Sequence, residues 1–456
     1  MSFPRYPKYK DSGVEWLGNV PEHWEVGKCG FYLTVLSGFA FPSAGFSGDA
    51  SNAKLLRGIN VGVSKLKWDE TVYWQRMEGD DLDIYELTAG DVVIGMDRPL
   101  IGDGMRVAKV TPSDLPCLLL QRVASLNTDD RLLGDYLLGF LSSEMFVAHF
   151  SPETTGVSVP HISPEQIGNF VIAVPPLHEQ ARIVAFLDCE TAKIDELVAE
   201  QRRLIELLKE KRQAVISHAV TKGLNPNAPM KPSGIEWLGD VPEHWMVKPL
   251  GRLGQLQNGL NIGGEAFGAG DPFVSYGDVY KNANVPTIPS GLVLSTSSDQ
   301  EKYDLDIGDV LFTRTSETVD DIGVASTCLC PIPRVTFAGF LIRFRPIKGL
   351  LEPRYSTFLF RNQGVQGHFS GTMNLVTRAS LSQEVLKLLP ICVPPIMEQQ
   401  AIAQFIEQQV AAFCDLIAEA TRAVELLQER RTALISAAVT GKIDVRSFAP
   451  QIPEVA

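Results

Sequence analysis

The sequence predicts an α+β fold in which two globular domains of mixed α and β structure are separated by two long helices packed as an antiparallel coiled coil. A tandem duplication with pseudo-two-fold symmetry relates the two halves. One observation is a repeated block, SGVEWLGNVPEHW at residues 12–24 and SGIEWLGDVPEHW at residues 233–245. Another is that residues 177–222 and 396–440 lack proline and glycine and are rich in strong helix formers. Each half is therefore a domain-sized unit and not a short solenoid repeat.

Further matching blocks extend the duplication. VPPLHEQARIVAFLD at residues 174–188 matches VPPIMEQQAIAQFIE at residues 393–407, and AVISHAVTKG later matches ALISAAVTGK. The segments between these blocks hardly match, apart from a Gly-Asp turn that enters an apolar strand at residues 89–93 and 307–311. The two halves are therefore predicted to share a framework and to differ in the loops that it carries.

The predicted order along the chain is domain, helix, domain, helix. A length of 456 residues allows two to four domains. Turn residues and short β-rich runs ahead of each helix indicate the globular parts. We assign residues 1–176 to the first globular domain with the repeated block 12–24, 177–224 to the first helix, 225–395 to the second globular domain with the block 233–245, 396–442 to the second helix, and 443–456 to a tail.

Apolar residues in both helical segments follow the alternating four-and-three spacing of a coiled-coil seam. Paired prolines precede each helix, and Gly223 and Gly441 follow as stop signals. Some 45 residues at 1.5 Å each give rods of about 67 Å, which suits a spacer. The predicted seam comprises Ile183, Leu187, Ile194, Leu197, Leu204, Leu208 and Val215 in the first helix and Ile402, Ile406, Phe413, Leu416, Leu427 and Leu434 in the second.

The composition is that of an ordinary globular protein, with 45% hydrophobic and 21% charged residues. No apolar stretch is long enough to cross a bilayer, and the first residues lack the apolar segment of a signal peptide. The seven cysteines are scattered without a CxxC pair, so we expect reduced thiols and a cytoplasmic chain. The net charge of -13 lowers the expectation of nucleic-acid binding, because phosphate-binding proteins usually have a basic footprint.

Motifs that would indicate catalysis are missing. The sequence has no phosphate-binding loop, no HExxH, no GxSxG and no Cys/His cluster with zinc spacing, and Cys328 and Cys330 form an isolated CxC. The glycine-rich residues 263–268 lack the strand-to-helix context of a dinucleotide site. His23 and His244 recur beside tryptophans in the repeated block, where we expect a packing or partner role. We therefore expect no catalytic activity and no cofactor or metal in this chain.

The doubled blocks resemble those of one known family. The repeated WLGxVPxHW block, the PPLHEQ and PPIMEQ helix entries, the long helices and the dissimilar domains are similar to the specificity subunit of type I restriction-modification enzymes. The resemblance covers essentially the whole chain. It implies that each dissimilar domain is a target recognition domain for one half of a bipartite, asymmetric DNA site. It also implies that the helices fix the spacing of the two halves and hold the modification (methyltransferase) subunits.

The resemblance further implies the partners. One specificity subunit binds double-stranded DNA and two modification subunits, to which two restriction subunits are added, and no membrane is involved. S-adenosylmethionine, ATP and magnesium are then expected on the partner subunits and not on this chain. For contacts with the modification subunits we select residues of the repeated blocks and helix entries, namely Trp16, Trp24, Glu179, Gln180, Trp237, Trp245, Glu398 and Gln399.

Candidate DNA contacts are polar and basic residues in loops of the dissimilar segments. Phosphates and base edges are contacted mainly by Arg, Lys, Asn, Gln, Ser, Thr and Tyr. In the first domain we select Lys54, Arg57, Asn60, Lys65, Arg98, Arg106, Thr154 and Thr155. In the second domain we select Tyr276, Tyr280, Lys281, Asn282, Arg314, Thr315, Asn374 and Arg378. A solvated surface position is the alternative for each single residue.

Two other interpretations remain open. A coiled-coil structural adapter that does not recognise DNA would explain the helices, but it gives the divergence of the two domains no purpose. A hydrolase or nuclease with a carboxylate site could use the pairs at 80–81 or 320–321, although adjacent acids usually form a solvated turn. The acidic residues near 78–83 also lead us to expect weak DNA affinity for the isolated chain, with the modification subunits supplying nonspecific phosphate contacts.

Overall fold

The structure is a computed structural model in which two units can be separated. The described residues are 3–101, 104–154, 160–316, 322–372 and 379–448. The first unit is formed by Met1–Arg202 with Arg422–Ala456, and the second by Arg203–Thr421. Each unit therefore holds one globular part together with one end of each long helix. The five-part division by sequence stays a prediction.

The first unit begins with a globular part that ends in the first long helix. Its strands are β1 (Tyr9–Asp11), β2 (Asn19–Pro21), β3 (Glu25–Lys28), β4 (Leu33–Ser37), β5 (Ala53–Leu56), β6 (Tyr73–Trp74), β7 (Val92–Gly95), β8 (Leu100–Ile101), β9 (Gly104–Met105), β10 (Val107–Lys109), β11 (Cys117–Leu119), β12 (Val123–Thr128) and β13 (Val171–Val174). Its helices are α1 (Gly134–Leu141), α2 (Glu144–Thr154), α3 (Pro164–Asn169) and α4 (Leu177–Lys222), of which α4 continues into the second unit.

The central sheet of the first unit is antiparallel and has the strand order β10-β7-β12-β4. Alternate residues of β7 enter two different cores, since Val92 and Ile94 pack with the helices and Val93 packs with a second sheet. That second sheet has the order β11-β5-β6, with β11 parallel to β5. The central strand is thus buried on both faces, which explains its uninterrupted apolar sequence.

The second unit contains the elements that follow α4. Its strands are β14 (Met230–Pro232), β15 (Asp240–Pro242), β16 (Met246–Pro249), β17 (Gly254–Asn258), β18 (Phe267–Val274), β19 (Gly291–Val293), β20 (Val310–Thr313), β21 (Thr315–Ser316), β22 (Ala325–Thr327), β23 (Thr336–Phe337), β24 (Leu341–Pro346), β25 (Ala379–Ser380) and β26 (Pro390–Val393). Its helices are α5 (Tyr276–Lys281), α6 (Ser297–Lys302), α7 (Pro353–Phe360), α8 (Gln363–Thr372), α9 (Gln383–Leu388) and α10 (Ile396–Val439), of which α10 continues into the first unit.

The second unit repeats the topology of the first. Its central sheet has the order β22-β20-β24-β17, and its second sheet has the order β23-β18-β19 with β23 parallel to β18. The central strand again alternates between two cores, with Val310 and Phe312 on one side and Leu311 on the other. The duplication seen in the short repeated blocks therefore extends through segments whose sequences hardly match.

The long helices pack against each other in both units. In the first unit, Arg431 of α10 donates to Asp195 of α4 at 2.9 Å. In the second unit, Arg212 of α4 lies 3.9 Å from the sulfur of Cys414 in α10. Residue numbers rise along one helix while they fall along the other, so the packing is antiparallel, as predicted. Among the described residues, no helix has the length and apolar character needed to cross a membrane.

The predicted seam between the helices is wrong at some positions. Ile183 is buried as expected, but Leu197, Leu204 and Leu416 are 45%, 43% and 48% exposed. Val198, next to one of them, is buried instead. A straight α-helix drifts by about 20° per heptad against a strict 3.5-residue repeat, so a seam extrapolated along the whole helix leaves the interface.

Candidate nucleic-acid interface

The glutamine of each helix entry joins the long helix to its globular domain. In the first unit, the Gln180 amide donates to the carbonyl oxygens of Arg131 and Pro175, and its oxygen accepts from the Leu133 backbone N–H, each at 2.8 Å. Gln399 makes the same three hydrogen bonds in the second unit, with Leu350, Pro394 and Glu352. Both glutamines are fully buried. The repeated EQ pair therefore has an intramolecular role in orienting the domain on the helix.

The preceding glutamate joins the repeated WLG block to the same helix entry. The buried carboxylate of Glu179 accepts from Trp24 Nε1 at 3.1 Å and from the Tyr6 hydroxyl at 2.5 Å. His23 Nε2 lies 2.8 Å from its other oxygen. Burial and the hydrogen bond to Glu179 raise the pKa of Tyr6 above its ordinary value. A buried carboxylate needs such partners, because an unpaired charge in the core is costly.

The second unit repeats this arrangement incompletely. His244 Nε2 lies 2.8 Å from Glu398, as its counterpart does in the first unit. Trp245 is fully buried, but its Nε1 has no hydrogen-bond partner among the described residues. Gly223, which ends α4 with a φ of 76°, lies against the Trp245 ring, and Gly441 ends α10 against the ring of Trp24. The repeated block therefore contacts the start of one long helix and the end of the other.

A buried tyrosine in each globular domain contacts the strand before one long helix and the end of the other long helix. The Tyr136 hydroxyl contacts the carbonyl oxygens of Ala173 and Val439, both at 2.8 Å. Tyr355 repeats these contacts in the second unit, with Cys392 at 3.5 Å and Val220 at 3.3 Å. Both side chains are fully buried. The equivalence of the two units thus extends to individual hydrogen bonds.

The residues selected for partner contacts are largely inside the units. Trp24, Glu179, Gln180, Trp245 and Gln399 are buried and contact other parts of the same chain. The remaining three are half-buried: Trp16 stacks on Phe170 with ring centroids 4.7 Å apart, Trp237 packs on Gly364, and Glu398 is partly exposed. These positions fix the surface next to the helix ends, and a direct partner contact by any of them stays a prediction.

A groove on the first domain brings together several of the predicted DNA contacts. It has a volume of about 750 Å³ and is lined by Arg57, Arg98 and Arg106, together with Arg122. Asp97 is the acidic residue among those lining it. Despite the net charge of the chain, this local surface is positively charged.

The arginines of the groove are held in different ways. Arg106 donates to the carbonyl oxygens of Gly58 at 2.6 Å and Arg98 at 3.0 Å, so its side chain is largely structural. Burial, and secondly the charge of Arg98, lower the pKa of Arg106. Arg57 donates to the Glu70 carbonyl oxygen. Arg98 is exposed and has a φ of 45°, an uncommon conformation for a residue other than glycine.

Arg122, which the sequence did not single out, is an exposed cation of the groove that pairs with a carboxylate. It donates to Asp97 at 2.7 Å, and Asp97 is also 2.7 Å from His161 Nδ1. The Arg122 side chain is nevertheless 66% exposed, whereas that of Asp97 is 19% exposed. A single arginine in a loop belongs to no sequence pattern. The contact of Arg122 with Asp97 and His161 is therefore visible only in the structure.

The other candidates of the first domain lie elsewhere. Lys54 donates to the Ser113 carbonyl oxygen and lies over the ring of Trp68, and Lys65 is exposed on a turn. Neither is among the residues lining the groove. Asn60 is buried, and its side chain accepts from the backbone of Arg57 and donates to that of Lys67. Its role in this loop is structural.

The candidates of the second domain cluster on one short helix. Tyr276 and Tyr280 stack at the start and end of α5, with ring centroids 6.1 Å apart. Lys281 is exposed, and Asn282 donates to the Asp278 carbonyl oxygen. The Asp278 carboxylate accepts from the backbone before the helix, as Asn60 does in the first unit, so both fix a helical turn at equivalent positions.

Arg314 and Thr315 follow the central strand β20. The Arg314 backbone N–H donates to Phe340, and Thr315 pairs with Ser380 between β21 and β25. Thr155, Asn374, Arg378 and the acidic pair at 320–321 lie outside the described residues, and the Thr154 side chain does as well. Within the described part of the chain, no group of three or more His, Cys, Asp and Glu side chains could hold a metal.

The chain is similar to known proteins in sequence and in fold. Residues 242–426 match the model of the type I restriction modification DNA specificity domain. The EcoKI specificity subunit of Escherichia coli K12 is 24% identical over 412 residues, covering 88% of this chain and 84% of that protein. The putative MjaX specificity subunit of Methanocaldococcus jannaschii is 24% identical and covers 94% of this chain and 96% of that protein. The Escherichia coli EcoAI specificity subunit is 33% identical, but the match spans 42% of this chain and only 31% of the relative.

Solved structures support the fold over nearly the whole chain. A chain from a study of complex assembly and conformational transition in the type I R-M system has a TM-score of 0.68 at 16% identity, covering 92% of this chain and 98% of that one. The HsdS subunit of Thermoanaerobacter tengcongensis has a TM-score of 0.53 at 16% identity, covering 93% and 98%. The chain is therefore similar in sequence, over both of its halves, to specificity subunits of type I restriction enzymes, and similar in fold to these solved structures over more than nine tenths of its length.

Proposed function

We propose that each globular domain recognises one half of a bipartite, asymmetric DNA site. The observation that carries this proposal is that two units with the same topology and the same hydrogen bonds at the helix ends differ in their exposed loops. A common framework suits a task performed twice, while different loops suit two different DNA sequences. The alternative, a structural adapter that does not recognise DNA, leaves this contrast without a role.

In the first domain, the arginine groove is the proposed DNA contact. Arg57, Arg98 and Arg122 line it with at least partly exposed side chains, and phosphates and guanine edges are the natural ligands of guanidinium groups. Arg106 supports the groove from within. The predicted contacts by Lys54, Asn60, Lys65, Thr154 and Thr155 belong to the proposal as well, with the groove as its best-supported part.

In the second domain, the proposed contact surface combines α5 with the loop after β20. Tyr276, Tyr280, Lys281 and Asn282 supply aromatic, cationic and amide groups on one short helix. Arg314 and Thr315 follow the central strand, and Asn374 and Arg378 complete the predicted set. Because α5 and the 3₁₀ turn at residues 58–60 are equivalent in the two units, the surfaces on the two domains correspond.

We also propose that the long helices set the spacing between the half-sites and that the repeated blocks next to their ends bind two modification subunits. Restriction subunits would join through that complex. Under this proposal the chain itself is not catalytic and acts in the cytoplasm, while S-adenosylmethionine, ATP and magnesium are bound by the partners. The near-identity of residues 12–24 and 233–245 supports two docking sites for the same partner, since one partner bound twice needs two similar surfaces.

Footprinting of the complex tests this function. The chain would be co-expressed with a type I modification subunit from its own locus, and the purified complex would be mapped on DNA by hydroxyl-radical cleavage. We expect two protected segments separated by an unprotected spacer, and much weaker protection by the isolated chain. A complex that forms but protects no specific sequence would favour the adapter instead.

A further inference from the structure

Both globular domains have a tight turn directly before a strand of the central sheet, β12 in the first unit and β24 in the second. In the first unit, the Val123 N–H donates to the Leu120 carbonyl oxygen at 3.2 Å, and in the second the Leu341 N–H donates to that of Ala338 at 2.9 Å. These turns lead into β12 and β24, which occupy equivalent places in the central sheets. The framework therefore places a turn with the same closing hydrogen bond at this point in both domains.

This turn is fixed to the loop after the central strand in the same way in both units. The Met96 N–H donates to the Arg122 carbonyl oxygen at 2.8 Å, and the Arg314 N–H donates to that of Phe340 at 2.9 Å. Arg122 and Phe340 are thus equivalent residues at the tip of the turn. The backbone on either side of each tip is hydrogen-bonded, so the side chain is presented from a rigid support.

The tips differ completely in chemistry, although both are exposed. The Arg122 side chain is 66% exposed, and Phe340 is 63% exposed. Arg122 has a φ of 71°, a conformation that costs free energy for any residue but glycine. Arg98, which lines the same groove, shares this feature. Among the described residues φ is positive at Arg122 but not at Phe340, so the two tips share their place and their hydrogen bonds but not their backbone conformation. Exposed side chains of opposite character at this equivalent place point to a position that selects between ligands.

The contacts of Arg122 give it a fixed direction. Asp97 accepts one of its guanidinium N–H groups and is itself held by His161. A guanidinium has five donors, so an arginine held by one carboxylate can still present a pair of donors to a ligand. The N7 and O6 acceptors of guanine match such a pair in the major groove, while an exposed phenyl ring suits the methyl group of thymine.

We propose that the tip of this turn is the base-contacting position of each recognition domain, where Arg122 recognises a guanine of the first half-site with Asp97 as its positioning residue, and Phe340 contacts a thymine methyl group of the second. This inference rests on the proposed function and assigns specificity to two named side chains. The prediction is that the two positions act independently, because each side chain belongs to a different domain.

Base analogues in the DNA provide the test. Complexes of the chain with its modification subunits would be titrated with site DNA in which single guanines of the first half-site are replaced by 7-deazaguanine, which lacks the N7 acceptor. One replacement should weaken binding by the wild-type complex roughly 10- to 100-fold, the size of one lost hydrogen bond to a charged donor, because the O6 acceptor remains. The same replacement should have little effect on Arg122→Ala, which has already lost the contact.

Three further variants refine the assignment. Arg122→Lys keeps the charge but replaces the rigid pair of donors by one ammonium group, so it should bind the unmodified site more weakly and lose less affinity than the wild type on 7-deazaguanine. Asp97→Asn should reduce the sensitivity without abolishing it. For the second domain, replacing one thymine by uracil should weaken wild-type binding but not that of Phe340→Ala. Arg131→Ala is the control, because Arg131 is also exposed and paired with an aspartate, yet lies outside the groove.

The outcomes separate this inference from the function on which it depends. If the wild-type complex binds a bipartite site but no guanine analogue affects it, or if Arg122→Ala remains fully sensitive, the inference is wrong and the function stands. If the wild-type complex shows no two-part sequence preference, the proposed function fails. Should Arg122→Ala not fold, the analogue series on the wild type and on Arg122→Lys still decides.

Discussion

At the scale of single residues, equivalent positions in the two units carry unequal contacts. Trp24 and Trp245 are both fully buried, but only the indole N–H of Trp24 has a described acceptor, the carboxylate of Glu179. Tyr6, which also donates to Glu179, has no tyrosine at the equivalent place in the second unit, where the chain reads Asn227. The duplication thus preserved the packing and let one hydrogen-bond network diverge.

This asymmetry predicts unequal effects of matched substitutions. Trp24→Phe removes a donor to a buried carboxylate and should lower the free energy of unfolding by about 1.5–3 kcal/mol beyond the loss of packing. Trp245→Phe removes a buried N–H without a described partner and should cost clearly less. Urea unfolding of both variants checks this, and equal losses would contradict the assigned contacts.

The buried glutamines predict a large and repeated effect. Gln180→Ala and Gln399→Ala each leave three buried or partly buried backbone groups without the side chain that pairs with them, so each should destabilise its unit by roughly 2–4 kcal/mol. Gln428→Ala, at an exposed position of α10, is the control and should change stability little. Urea unfolding followed by fluorescence and circular dichroism gives the comparison. If the free energy of unfolding falls by less than about 1 kcal/mol in both variants, the glutamines do not join the helices to their domains in this way.

The cysteines predict a dependence of stability on pH. Burial raises the pKa of Cys29 and Cys117 to about 12 each, whereas Cys414 is exposed. An unfolded thiol ionises near pH 8.5, so the native state binds the proton more tightly. The stability from these thiols is complete below about pH 8.5 and is lost as the pH rises toward 12. Urea midpoints at several pH values should fall less steeply for Cys29→Ala than for Cys414→Ala, and equal slopes would contradict the buried thiols.

The sequence revealed only part of the site at this scale. The repeats mark Glu179 and Gln180 as important but do not predict that they are buried, because a helix-entry motif looks the same whether it faces a partner or its own domain. Arg57, Arg98 and Arg106 were selected by residue type, and the fold brought them together. Arg122 and Asp97 could not be found, since their encounter depends on two loops that are distant in sequence.

At the scale of elements, the long helices were the most predictable parts. Their bounds, Leu177–Lys222 and Ile396–Val439, follow from runs without proline or glycine between strong start and stop signals. The seam was less predictable, because Leu197 and Leu416 fit a heptad pattern but lie outside the interface. Burial depends on the partner helix and on the domains at each end, which a single-helix pattern does not contain.

A paired insertion tests the helices as spacers. Seven residues added after Arg202 and seven after Thr421 keep the antiparallel register and lengthen the pair by about 10 Å. The spacer of unspecified sequence between the half-sites should then lengthen by about three base pairs, because each base pair of B-DNA adds roughly 3.4 Å along the axis. Mapping the methylated motif measures the spacer. An insertion in one helix alone should destabilise the protein, and an unchanged spacer with the paired insertion would argue against the spacing role.

At the scale of the whole molecule, the net charge of the chain and the local charge of the groove have opposite signs. The net charge of -13 does not prevent a positively charged groove, because four arginines line one local surface. The overall acidity still predicts that the isolated chain binds DNA weakly and that its partners supply much of the phosphate contact. The fold class could be predicted because the repeated blocks are nearly identical, whereas the shared sheet topology of the dissimilar segments became visible only in the structure.

The central claim is that the two domains recognise separate halves of one DNA site. The most direct measurement maps methylated positions in host DNA after co-expression of the modification subunit with the chain, and again after residues 246–390 are replaced by the same segment of another specificity subunit. We predict a bipartite motif that requires the chain and that changes in only one half after the replacement. A change in both halves, or methylation that does not depend on the chain, would contradict the claim.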